Sequence, residues 1–415
     1  MEAIAPDAPA AFDVTRVRTD FPILYREIYD KPLIYLDNGA SAQKPKPVLD
    51  AIEHAYKMEY SNVHRGLHFL SNEATAKYEA ARTTVATFLN APSDDTIVFT
   101  KNTTEAINLV ASSFGDGFIG EGDEIILSIM EHHSNIVPWH FHRERKGAVI
   151  RWAPIDEDGN FLLDAFEKLL TERTKIVAIT HMSNALGTDV PVKEVIRLAH
   201  ERGIPVLVDG SQSAVHRPVD VQDLDCDFFV MTGHKTYGPS GIGALYAKQE
   251  WLDRLRPYQG GGEMIESVTT DGVTYGHDHH KFEAGTPPIV QAIGLGAALT
   301  YMMEIGREQI AAHEDTLRAY AHAKLGEMNF VRIYGNAQEK GAIVSFTMDG
   351  LHPHDISTII DRSGVAVRAG HHCCQPLMER FGLSGTCRAS MAMYNTTDDI
   401  DALAASLRKA HEFFA

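Results

Sequence analysis

Val206-Leu207-Val208-Asp209-Gly210-Ser211-Gln212 and, downstream, Phe228-Phe229-Val230-Met231-Thr232-Gly233-His234-Lys235 are the stretches that decide the fold of this chain. Each is an unbroken apolar run that ends in polar residues. Such a run reads as a strand buried on both faces, the habit of parallel sheets. The first delivers a carboxylate at its C-terminal end. The second delivers a hydroxyl, a histidine and a lysine, with Lys235 standing 26 residues after Asp209. An acid and a lysine at the ends of two neighbouring strands are the groups a pyridoxal phosphate (PLP) site needs. The lysine carries the cofactor, and the acid keeps the pyridine nitrogen protonated so that the ring draws electrons. A surface lysine beside a capping aspartate is the plain alternative. The run Gly233-His234-Lys235-Thr236-Tyr237-Gly238 weighs against it, because glycines around a lysine suit close approach of backbone to a ligand.

Working outward, strands and helices alternate. Leu33 to Leu36 reads as a short strand, Ile97 to Thr100, Glu124 to Ser128, Ala148 to Trp152 and Lys175 to Thr180 as further strands. Val48 to Tyr60, Ala74 to Leu89, Asn102 to about Ser113 and Val192 to Arg202 carry helical spacing between them. This rhythm predicts an α/β domain with a mostly parallel sheet, whose ligands sit at the carboxyl ends of the strands. After a long apolar helix from Ile289 the pattern changes to separated strands and helices. The reading is therefore an N-terminal arm over 1–30 that packs with the small domain. A large domain over 31–305 follows, with a hairpin at 259–276, and then a smaller α+β C-terminal domain over 306–415.

The chain has 415 residues, 44% of them hydrophobic and 23% charged, an ordinary globular composition. A net charge of −18 argues against a nucleic-acid partner. No apolar run approaches the roughly 20 residues of a membrane span. The N-terminus lacks a basic and then apolar leader pattern, and four cysteines, two of them adjacent, make no disulfide framework. A cytoplasmic setting is the expectation.

Other polar clusters fall at strand ends too. Thr103-Thr104 opens a helix, where free N–H groups, the positive dipole end and hydroxyls suit a phosphate; a plain N-cap is the alternative. In Glu131-His132-His133-Ser134-Asn135 a histidine is placed to stack on a flat ring. Metal binding by the adjacent histidines lacks a second ligand set at suitable spacing, so no metal is expected. Asn184, before Ala185-Leu186-Gly187, is either a turn residue or a partner for a ring hydroxyl.

In their order, these motifs resemble the fold-type I PLP enzymes of the aminotransferase class V branch. Within it they resemble the group II, SUF-type cysteine desulfurases, from about Asp20 to the C-terminus. The matching segments are Tyr35-Leu36-Asp37-Asn38-Gly39-Ala40-Ser41, Asn62-Val63-His64-Arg65-Gly66, Glu131 to Asn135, Val208 to Gln212, Thr232 to Lys235, Phe282-Glu283-Ala284-Gly285-Thr286-Pro287 and Arg368-Ala369-Gly370-His371-His372-Cys373. The resemblance implies that Lys235 carries PLP and moves substrate protons. It implies that Asp209 pairs with the ring nitrogen, His132 stacks on the ring, and Gln212 and Asn184 contact the ring oxygen. Thr103, Thr104, Thr232 and His234 would bind the phosphate, and Thr286 would reach the phosphate of a partner subunit, which requires a homodimer. Arg388 would clamp the substrate carboxylate, with Asn38, Arg368, His64 and Arg65 also on the substrate side.

The same resemblance makes Cys373 the sulfur nucleophile: its thiolate takes the sulfur of L-cysteine, leaving a persulfide and L-alanine. As a bare cysteine it reads as a small core residue. A thiolate needs cationic or dipolar help, for which His371, His372 and Arg368 are the candidates. The short loop around Cys373 suggests a small acceptor protein that reaches into the site, and the resemblance, with its hairpin, implies a SufE- or SufU-like one serving iron–sulfur cluster assembly. Position 374 departs from the family, with Cys where Ala is expected; the expectation is an inert packing residue. Selenocysteine lyase, acting on L-selenocysteine, is the nearest rival, and a non-enzymatic scaffold of the same fold the more distant one.

Overall fold

The structure is a computed structural model that describes residues 12–414. The first part of the N-terminal arm, residues 1–11, lies outside the described residues. Seven strands form the large sheet: β1 (Ile97–Thr100), β2 (Glu124–Ser128), β3 (Val149–Ala153), β4 (Thr174–Thr180), β5 (Val206–Asp209), β6 (Phe228–Thr232) and β7 (Gly243–Ala247). Their spatial order is β1-β7-β6-β5-β4-β2-β3. All neighbours are parallel except β7, which runs antiparallel to both β6 and β1.

The two opening stretches become β5 and β6 side by side, with Leu207 opposite Phe228 and Asp209 opposite Val230. Their side chains alternate between the two faces. Val206, Val208, Phe229 and Met231 pack into the core on one face, and Leu207, Phe228 and Val230 into the core on the other. Helix Val192–His200 covers the first face with Val192, Val195, Ile196 and Ala199. Helix Thr103–Phe118 covers the second with Ala106, Ile107, Leu109 and Val110. Gly210 follows β5 at its tightest point: a Cβ there would lie 1.9 Å from Phe229 Cζ.

A second sheet, β8 (Val331–Tyr334), β9 (Ile343–Met348), β10 (Arg368–Gly370) and β11 (Thr386–Ser390), has the order β8-β9-β11-β10, all antiparallel. Helices Arg307–Gly326, Pro353–Asp361 and Thr397–Phe414 close its core through Leu317, Ile356, Leu403 and Leu407. The hairpin read over 259–276 is present as Ile265–Val268 paired with Val273–Tyr275.

Two readings change. The strand at Ile34–Tyr35 does not join the large sheet. It pairs in parallel with Val365–Ala366, and Leu36 packs in the core of the small domain. Its short apolar stretch is satisfied by the sheet edge nearest to it in space. The strand β7, buried throughout, went unread because its Gly-Ala-Leu-Tyr-Ala sequence follows the glycine-rich loop and lacks β-branched residues.

Candidate active site

The carboxyl ends of β4, β5 and β6 and the N-terminus of helix Thr103–Phe118 converge on a cavity of about 240 Å³. Its lining includes Thr103, Thr104, His132, Asn184, Asp209, Gln212, Thr232, His234, Lys235, Arg368, Cys373 and Arg388. The sequence placed these on seven separate segments; the sheet and the small domain bring them together.

Asp209 stands at the end of β5, and its Oδ1 accepts from the Ser211 N–H (3.0 Å) and hydroxyl (2.6 Å). Ser211 Oγ is also 2.9 Å from Thr103 Oγ1, tying the carboxylate to the helix N-terminus. Asp209 Oδ2 takes neither of these bonds. Burial brings the Lys235 amine down to about 8; Asp209 opposes the shift and the Arg388 charge adds to it. Burial is also the first cause that lowers His132, to about 3, so its imidazole is neutral. Its Nδ1 accepts from Ser134 N–H at 3.1 Å, which fixes the ring. His234 is lowered to about 4, by burial first and then by Lys235 and Lys44, so it faces the cavity as a neutral ring.

The small domain supplies the other wall. Register sets Arg368 on β10 directly across from Arg388 on β11. Arg388 is buried; its guanidinium donates to Asn184 O (2.7 Å) and to Asp37 Oδ1 (3.2 Å), while its Nε finds no partner among the described residues. Arg368 Nε lies 3.4 Å from the other Asp37 oxygen. Gly39 lets this fork in, since a Cβ there would stand 3.1 Å from Arg388 Cζ.

Cys373 is exposed at the cavity and lies on a turn between β10 and helix Gln375–Phe381, where His372 and Cys373 both have left-handed backbones (φ 53° and 57°). Its carbonyl accepts from His133 N–H at 2.7 Å. Cys374 is buried, and burial pushes its thiol pKa well above the ordinary value.

Several expectations need correction. His372 cannot give Cys373 cationic help: burial and the charges of Arg388 and Arg368 lower it to about 2, and its Nε2 is 2.8 Å from Thr386 Oγ1. Asn38 is adjacent to the cavity but its amide is consumed internally, by Ser390 O (2.7 Å), Asn395 Oδ1 (3.1 Å) and the Tyr394 hydroxyl. It is therefore a brace between the two domains and not a substrate contact. The amide of Asn184 is spent on the Cys373 loop, with Nδ2 donating to His372 O at 2.6 Å. His64 and Arg65 lie outside the cavity, held by Glu79 (2.8 Å) and Glu263 (2.7 Å). Thr286, expected at a partner subunit's phosphate, lines a separate cavity of about 290 Å³ with Phe99, Tyr258 and Glu283, and this placement in one chain does not bear on that expectation. Sequence reasoning missed Asp37 and Ser211, although both stand in the quoted motifs. A second polar group beside each named one was the available signal.

The class-V aminotransferase family pattern matches residues 34–403. The chain belongs to that family. Among curated relatives, a cysteine desulfurase of Klebsiella pneumoniae is 50% identical over 97% of this chain and 99% of its own length. A cysteine desulfurase of Synechococcus elongatus is also 50% identical over 96% of this chain, which spans 64% of that protein. Among solved structures, the Escherichia coli cysteine desulfurase CsdA superimposes with a TM-score of 0.91 at 40% identity, covering 97% of this chain and 99% of that one. An apo cysteine desulfurase of Thermococcus onnurineus gives 0.91 at 38% identity, over 99% of both chains. Within the class-V family, then, the chain groups with the PLP-dependent cysteine desulfurases.

Proposed function

We propose that this enzyme takes the sulfur of L-cysteine onto Cys373, releases L-alanine, and passes the sulfur to a small SufE- or SufU-like acceptor for iron–sulfur cluster assembly. Cys373 carries the reading: an exposed thiol faces the cavity that holds Lys235, Asp209 and Arg388. Transamination has no use for a thiol there.

The residues present fit PLP. Thr232 Oγ1 and Gln212 Oε1 are buried, line the cavity and have no hydrogen-bond partner among the described residues. A phosphate oxygen suits the first, and a ring hydroxyl suits the second. Thr104, at a helix N-terminus, and His234 complete the phosphate side. Bound there, PLP supplies the electron sink that makes the Cβ–S bond of cysteine breakable.

The protein groups then divide the work. Arg388 orients the substrate carboxylate. Lys235, close to half neutral near pH 8, holds the cofactor and moves the proton at Cα. With PLP bound, Asp209 would pair with the ring nitrogen and the neutral His132 would stack on the ring. A bond forms between Cys373 Sγ and the substrate sulfur as the Cβ–S bond breaks, and the carbon left behind is protonated to give alanine. Arg368 is the cation at hand for the Cys373 thiolate.

A homodimer is part of this proposal. Tyr56, Met58, Tyr60, Leu67 and Phe69 are exposed large apolar side chains that cluster in sequence around His64 and Arg65. An exposed apolar surface of this kind suits a partner, and a partner would carry His64, Arg65 and Thr286 toward its neighbour's cavity. A cytoplasmic setting accords with four free cysteines.

The test is mass spectrometry of the PLP-loaded protein after incubation with L-cysteine. A one-sulfur adduct on the Cys373 peptide, lost in Cys373→Ser, is expected; an adduct elsewhere, or none, refutes the assignment. Parallel turnover of L-selenocysteine separates a desulfurase from a selenocysteine lyase.

A further inference from the structure

The loop that carries Cys373 holds two successive non-glycine residues in the left-handed region, His372 (φ 53°) and Cys373 (φ 57°). That conformation is unfavourable for residues with a Cβ and persists only where surrounding contacts impose it. Three contacts from outside the turn are available. His133 N–H donates to Cys373 O (2.7 Å), His372 Nε2 is paired with Thr386 Oγ1 (2.8 Å), and Asn184 Nδ2 donates to His372 O (2.6 Å).

The third has an unusual supporter. Cys374 Sγ is buried and lies 3.0 Å from Asn184 Oδ1. His372 O can only accept, so the amide nitrogen must face it, and the amide oxygen therefore faces the thiol. The thiol donates and the amide cannot turn over without breaking both bonds. Asn184 is also joined to the carboxylate clamp, because its own carbonyl accepts from Arg388.

We propose that Asn184, fixed in orientation by the Cys374 thiol, is the latch that holds the strained Cys373 loop against the cavity. Cys374 is then a positioning residue and not inert packing. The latch gives the nucleophile its aim: it sets the backbone from which Cys373 reaches the substrate sulfur, and it links that backbone to the residue that orients the substrate carboxylate. This deepens the reading of Cys373 as nucleophile and rests on it for its catalytic meaning.

The structural part can be read without turnover. Hydrogen–deuterium exchange is followed in the PLP-loaded protein for the peptides that contain the His133 and Cys374 amides, whose bonds to Cys373 O and His371 O close the loop. Cys374→Ala removes the donor, and Cys374→Ser retains one of similar size. Cys374→Ala is expected to speed exchange at both peptides by about threefold to tenfold, the range set by one hydrogen bond. Cys374→Ser is expected to restore it. A packing role predicts the reverse order, since alanine suits an apolar site better than a buried hydroxyl does. Asn184→Asp, which puts an acceptor against His372 O, must also speed exchange at the same peptides. The proposal is overturned if Cys374→Ala exchanges like the parent, or if Cys374→Ser exchanges as fast as Cys374→Ala or faster. In steady state the alanine variant should lose kcat with little change in KM, because the substrate contacts are intact. If exchange follows the proposal while no sulfur adduct forms on Cys373, the latch stands and the nucleophile assignment falls.

Discussion

Replacing Arg388 by lysine keeps a positive charge beside Asp37 and tests the geometry of the carboxylate clamp alone. The guanidinium cannot swivel: one terminal nitrogen is held by Asn184 O at 2.7 Å, the other by Asp37 at 3.2 Å, and Gly39 closes over its Cζ. Under the proposed reading, the unpartnered Nε would meet the substrate carboxylate beside a terminal nitrogen already fixed in place. A lysine offers a single ammonium on a different stem and cannot hold all of these contacts together. Losing one charge-assisted hydrogen bond is worth about 1.5–3 kcal/mol. At about 1.4 kcal/mol per factor of ten, kcat/KM for L-cysteine should fall roughly 10- to 150-fold. The carboxylate is not a reacting group, so most of the loss belongs in KM. Steady-state alanine formation by the parent and Arg388→Lys enzymes at equal PLP occupancy gives the comparison. A loss below about threefold, or one confined to kcat, would refute the assignment of Arg388 as the clamp.

Two further outcomes follow from buried charges. The Lys235 amine, lowered to about 8, is protonated as pH falls through that value. Capture of PLP by cofactor-free protein, followed by absorbance, should therefore rise with a midpoint near pH 8; a midpoint at the ordinary lysine value would contradict the burial argument. Glu283 is partly buried and grips Arg82 with both oxygens (2.6 and 3.0 Å) while accepting from Phe99 N–H (2.6 Å). Arg82 is itself buried and keeps Glu79 (2.8 Å) as its remaining anion, so Glu283→Gln removes charge-assisted bonds without stranding the charge and should cost about 1.5–3 kcal/mol in urea unfolding; a cost below about 1 kcal/mol would show that water or another group takes over.

Much of the site was legible because its chemistry lies at strand ends. An apolar run that stops at Asp209, and another that stops at Thr232 and leads to Lys235, each announce a buried strand with a polar terminus, and the parallel sheet aligns the two. The chain could be followed residue by residue as far as the helix N-terminus at Thr104 and the loop at His132. What failed were side chains whose polar atoms have several possible partners. Asn38 and Asn184 each stand beside the cavity, yet an amide in a crowded interior bonds to whichever group lies closest. That is Ser390 and Asn395 for one, and the Cys373 loop for the other. Protonation was equally hidden. His372 stands one residue from Cys373 in sequence, but burial next to two arginines strips its charge.

Sequence by itself determined the alternating strand and helix order, the Asp209–Lys235 pair, and the cysteine on which the proposed chemistry turns. These are properties of local pattern and residue type, and local pattern is written along the chain. Only the tertiary structure decided that Ile34–Tyr35 belongs to the small domain, that Asp37 is shared by two arginines, and that Cys374 touches Asn184. Each of these joins residues more than 180 positions apart, and such contacts are chosen by packing, register and competition for hydrogen bonds once the sheets have formed.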